Sequence, residues 1–230
     1  MKPTSSNLIR WAGLSAVAAG VLFVAIQILH PIDELASVTT AGWAIVHYLG
    51  VAMGFFGLLG LTGIYARQAE KAGWLGLAGY LLFSLFYVLT AAFQFVEALI
   101  SPVLATEAPR FVEGFLGIIT GHPSEIALGA LPSVNGVNGV LYMVGSLLLG
   151  IATFRANILP RWAAILLALS GPLAAVLTSL LSHPLDRLAA VPMGLALAGL
   201  GLAVWTNRRE HAEQPAPGSA CPQLRQAGAK

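Results

Sequence analysis

The chain has 230 residues, 57% of them hydrophobic and only 10% charged, against roughly 45–50% and 25% in soluble domains, and its mean hydropathy is +0.79. One core inside a polar shell cannot enclose that much apolar surface, so the composition excludes a water-soluble globule and implies an integral membrane protein in contact with the lipid bilayer. A net charge of +2 carries no nucleic-acid signal, and a single cysteine, Cys221, excludes an internal disulfide or a cysteine-based metal centre.

Crossing about 30 Å of hydrocarbon takes roughly 20 apolar residues as a helix. Six windows meet this, at 9–29, 43–66, 75–100, 134–154, 162–181 and 188–206. They predict an all-α, six-helix transmembrane domain over 9–206, preceded by a cytoplasmic segment at 1–8. The first run is longer than the apolar stretch of a signal peptide. In the second, Gly50, Gly54, Gly57, Gly60 and Gly63 form a ridge that reads as a packing surface for neighbouring helices, with a dimer interface as the alternative. Residues 101–133 make the one long connection. After Pro109, the residues Phe111, Val112, Phe115, Leu116, Ile118 and Ile119 fall on one face and predict a short interfacial helix, with a re-entrant segment as the alternative. Pro172 is a candidate break in the fifth span. The polar, Pro- and Gly-containing stretch 207–230 reads as a disordered cytoplasmic tail.

Basic residues fix an expected orientation. Of the twelve, only Arg110 and Arg187 fall on the side opposite the termini, which predicts that both termini are cytoplasmic. Trp11, Trp74, Trp162 and Trp205 fall at the inner boundaries and Trp43 at an outer one, where an aromatic belt belongs.

Polar side chains inside a bilayer are costly and normally face a bundle interior or a wet cavity. Here they gather in the outer half. Gln27 and His30 end the first span and His47 begins the second. Thr90, Gln94, Glu97 and Ser101 form a stripe on the third, Asn135, Asn138 and Tyr142 form another on the fourth, and Thr178, Ser182 and His183 close the fifth. The pattern predicts a polar vestibule, lined by Gln94, Asn135, Asn138 and Tyr142, that opens outward and takes a small-molecule ligand.

Three histidines share a local pattern, His30-Pro31-Ile32-Asp33, His122-Pro123-Ser124-Glu125 and His183-Pro184-Leu185-Asp186. Composition alone would give about 0.3 His-Pro pairs. The first and third copies match at six of nine positions, HPIDELASV against HPLDRLAAV, with an offset of 153 that suggests an internal duplication. One explanation is capping, with proline opening a short helix and the acid complementing its amide end. The other is a site. Imidazoles and carboxylates are the usual ligands of zinc and related divalent metals, and His30, His47 and His183 with Glu97 or Asp33 are the candidate set. No i, i+4 histidine pair and no H-E-x-x-H accompanies them. The readings left open are a non-enzymatic membrane protein binding a small ligand, proton or divalent metal, a small-molecule secondary transporter, and a membrane-embedded metalloenzyme acting on an apolar substrate.

The turn at 155–162, with Arg155, Leu159, Pro160, Arg161 and Trp162 in the pattern Arg-x-x-x-Leu-Pro-Arg-Trp, resembles one found in uncharacterised bacterial six-helix membrane proteins grouped as a domain of unknown function. The resemblance implies a bacterial inner-membrane location and assigns no catalytic residue.

Overall fold

The computed structural model describes residues 4–181 and 185–206. The expected tail at 207–230 and the candidate ligand His183 lie outside the described residues. The helices are α1 (Ser5–Leu29), α2 (Leu35–Val38), α3 (Ala41–Ala66), α4 (Ala69–Phe95), α5 (Ser101–Glu107), α6 (Pro109–Thr120), α7 (Leu131–Ala156), α8 (Arg161–Leu180) and α9 (Val191–Thr206). A π-turn, Val96–Ile100, joins α4 to α5, and a 3-10 turn, Leu185–Ala190, precedes α9. Six of the helical stretches are long and apolar enough to cross a membrane, and no strand occurs among the described residues. Each carries large apolar side chains on its outer surface, among them Val21, Phe55, Leu85, Val140, Leu169 and Leu202, a surface suited to lipid and not to water.

The spanning helices pack as a ring in chain order: α1 on α3, α3 on α4, α4 on α7, α7 on α8, α8 on α9, and α9 back on α1. Six traverses bring the start of α1 and the end of α9 to one end of the ring, where Arg10 donates to the Trp205 carbonyl and lies over its indole. This is the basic end. The opposite end carries the His-Pro segments.

The glycines of α3 work as packing positions inside this ring. A Cβ on Gly60 or Gly63 would strike Ala16 or Ala12 of α1, and one on Gly54 or Gly57 would strike Ala91 or Tyr87 of α4. The ridge thus serves two neighbours within one chain, and close approach of backbones supplies the dispersion that holds helices together in lipid. Midway along the ring, an aromatic cluster of Phe23, Phe83, Phe86, Tyr87 and Tyr142 fills the axis, with Phe86 and Tyr142 centroids 4.9 Å apart. Leu149, Leu167, Leu197 and Leu200 continue the core.

Several boundaries differ from the sequence expectation. Helix α1 begins at Ser5, with the Thr4 side chain accepting from the Asn7 amide, so half of the anticipated N-terminal segment is helical. The third span does not stop at residue 100 but continues through the π-turn to Glu107. Proline lacks only the amide of its own position, and a widened turn before Pro102 absorbs that loss without ending the helix. Pro172 lies inside an unbroken α8. Trp43 is fully buried against Val38, Val112 and Leu116, whereas Trp11, Trp74 and Trp162 are exposed as an interfacial belt requires. The expected helix after Pro109 is present as α6, its Val112, Phe115 and Leu116 turned inward.

Candidate functional site

The site is organised around Glu97. The carboxylate is 3% exposed and faces His47, with 3.3 Å between Glu97 Oε2 and His47 Nε2. His47 is itself completely buried, and its Nδ1 donates to the Trp43 carbonyl at 2.8 Å. That bond assigns a proton to Nδ1 and turns Nε2 toward the carboxylate, where it has no hydrogen-bond partner among the described residues.

Local backbone geometry places Glu97. In the π-turn the Ser101 amide bonds back five residues to Val96. The next amide in that register would bond to the Glu97 carbonyl, but position 102 is proline. The Trp43 indole fills the gap, its Nε1 donating to the Glu97 carbonyl at 2.9 Å. Pro102 therefore leaves a carbonyl free at the position of the buried acid, and Trp43, one turn before His47 on α3, locks both members of the pair.

His30 stands beside this pair. Its ring centroid is 5.0 Å from that of His47 and 5.5 Å from that of Trp43. Nδ1 donates to the Pro31 carbonyl at 2.8 Å and lies 3.7 Å from Asp33 Oδ1. Burial pushes the His30 imidazole below its ordinary value of 6.5, against a smaller opposite pull from its backbone bond and Asp33. Asp33 is held by Arg187, whose guanidinium also donates to the carbonyls of His30 at 3.0 Å and Pro31 at 3.1 Å. Arg187, in the 3-10 turn before α9, therefore clamps the first His-Pro segment. The capping explanation does not hold for the first two copies: α2 starts only at Leu35, and no helix begins at Pro123. In the first, the acid is instead engaged in an ion pair. His122 bonds to Thr120 at 3.0 Å on the exposed surface.

Two cavities open at this end. The first, about 110 Å³, is lined by Thr90, Phe93, Gln94 and Glu97 of the third span, Phe115, Ile118 and Ile119 of α6, and Asn135 and Asn138 of α7. Helix α6 forms its cover. The second, about 310 Å³, has Phe23, Phe86 and Tyr142 of the aromatic cluster in its wall, together with Gln27, Thr178 and Arg187, and it shares Asn135 and Asn138 with the first. Asn138 donates to Thr90 at 3.1 Å, but its Oδ1, the Gln94 Oε1 and the hydroxyls of Tyr87 and Tyr142 have no hydrogen-bond partner. Gln94 lies against Gly50, where a Cβ would collide with its amide.

Of the residues expected at the site, the structure thus brings His30, His47 and Glu97 together, places Asp33 beside His30, and distributes Gln94, Asn135, Asn138 and Tyr142 over the two cavities. Among the described residues no three His, Cys, Asp or Glu side chains gather to hold a metal. Trp43, Pro102, Phe115 and Arg187 were not expected there. The signals for the first two were the spacing of Trp43 four residues before His47 and of Pro102 five after Glu97. Compared with protein-family models, curated proteins and solved structures, the chain has no match.

Proposed function

We propose that this multi-pass membrane protein binds a small polar ligand in the cavities at its His-Pro end, with Glu97 as the anchoring group. The observation that carries this reading is a buried carboxylate, held in place by His47 and Trp43, in the lining of a cavity that also presents the residues Gln94, Asn135 and Asn138. A carboxylate at membrane depth is too costly to be incidental and marks a candidate functional site. In the orientation given by the basic residues the cavities face outward, at a bacterial inner membrane.

Thermal stability in detergent or nanodiscs, measured against a panel of small polar compounds, tests this function. A compound that raises the melting temperature of the wild type and not of Glu97→Gln supports it. If no compound distinguishes the two proteins, the reading fails. Transport is the second reading, favoured by the wall of Asn135 and Asn138 common to both cavities. It predicts flux in proteoliposomes that Glu97→Gln abolishes.

A further inference from the structure

We infer that the ligand of the Glu97 cavity is a small ammonium-type cation, a protonated primary amine of a few non-hydrogen atoms; the inference rests on the ligand-binding reading above and names its chemistry. The charge of the lining is one-sided: among the described residues Glu97 is the only charged one that reaches the cavity. The remaining polar groups are Thr90, whose hydroxyl takes a hydrogen bond from Asn138 and has a lone pair left, and the amides of Gln94, Asn135 and Asn138, which carry both donors and acceptors. Among the described residues His47 alone pairs with the Glu97 carboxylate, facing Oε2, which leaves the other oxygen for a ligand donor.

An ammonium group, with three donors and no acceptor, matches the Glu97 carboxylate and the oxygens beside it, whereas a carboxylate or phosphate would face the Glu97 charge with no cation among the described lining residues. The non-polar part of the lining agrees. The rings of Phe93 and Phe115 stack with centroids 6.1 Å apart on one side, with Ile118 and Ile119 next to them. Aromatic rings attract a cation through their negative faces, and the isoleucines suit a short alkyl substituent. Size sets the limit. Since ~10–15 Å³ of such space admits one water, about 110 Å³ holds several waters or one small organic cation. The second cavity differs in kind, because its only charged lining residue is Arg187. That contrast assigns the cation to the α6 side of the Asn135 and Asn138 wall.

The test is calorimetric titration of the full chain in nanodiscs with three probes of similar size, methylammonium, methanol and formate. The expected result is binding of methylammonium alone, weakened at least tenfold by Gln94→Leu and lost in Glu97→Gln. Gln94→Leu leaves the His47 contact in place, so it reports on the cavity even where Glu97→Gln folds poorly. Binding of methanol or formate without methylammonium overturns the cation inference and leaves a ligand site standing. Methylammonium binding that both variants retain also overturns it. Absence of binding by all three, in a protein whose melting temperature responds to no compound, overturns both readings.

Discussion

The two ends of the bundle are built by different rules. Toward the basic end, α7 meets its neighbours through Gly145 and Gly150, where a Cβ would strike the backbone of Phe83 or of Ala168. Gln68 there donates to Thr153 at 2.7 Å, while its Oε1 has no partner among the described residues. At the His-Pro end the same helix carries Gly136 and Gly139, and nothing lies within 4 Å of a Cβ placed on either. The helices part here into the two cavities that share Asn135 and Asn138. Since close packing is the main source of cohesion between helices in lipid, α7 holds to its neighbours through its basic half and gives up packing at its His-Pro half, where the Glu97 cavity lies.

This contrast can be broken by substitution. The largest effect is expected from His47→Leu, which leaves Glu97 buried without its partner and should cost about 3–5 kcal/mol. Replacing both members, His47→Leu with Glu97→Met, should restore most of that loss, because a buried pair is often matched in stability by apolar residues of similar volume. Reversible unfolding in mixed micelles measures both. A double variant as unstable as the single one would mean that the pair is structural.

Next, Gly145→Val should cost about 1–3 kcal/mol by forcing α7 from α4, while Gly136→Val, facing open space, should change stability little. Equal losses in the two variants would erase the distinction between the ends. Trp43→Phe keeps the ring and removes the donor to the Glu97 carbonyl, with an expected cost of about 1–2 kcal/mol and weaker ligand binding. Gln68→Leu, at the basic end, should cost about 1 kcal/mol and leave ligand binding unchanged.

The smallest effect concerns pH. His30 is held below 6.5 in the folded chain, so the unfolded chain binds its proton more readily. Its contribution to stability is present above that value and is lost as the pH falls from 6.5 toward the lowered folded value. His30→Asn should flatten the melting-temperature profile in that window, and an unchanged profile would show that other groups dominate it.

Much of this architecture was legible in the amino-acid sequence. Six apolar runs identify six spans because no other backbone form except a closed barrel satisfies its hydrogen bonds in lipid. Glu97 stands out for a related reason: a carboxylate in an apolar helix is too costly to be incidental. What escaped were relations between distant segments. Trp43 at a span boundary looks like an interfacial anchor, and only packing against α6 shows it to be buried. The Ser101-Pro102 pair looks like a helix stop, because the indole that replaces the missing amide lies on another helix. Arg187 looks like a lone outer cation until it meets Asp33 and the carbonyls of the first His-Pro segment. Periodicity reports what one element buries and says little about which side chain completes another.

The central claim is that the Glu97 cavity admits a ligand while the packed stretch of α7 around Ser146 does not. Cysteine labelling tests it most directly, in a chain carrying Cys221→Ser with either Asn138→Cys or Ser146→Cys, two turns apart on α7. With a small charged thiol reagent, the account predicts rapid modification at 138, slowed by bound ligand, and none at 146, which is fully buried. Equal reactivity at the two positions, or no reaction at 138, would contradict it.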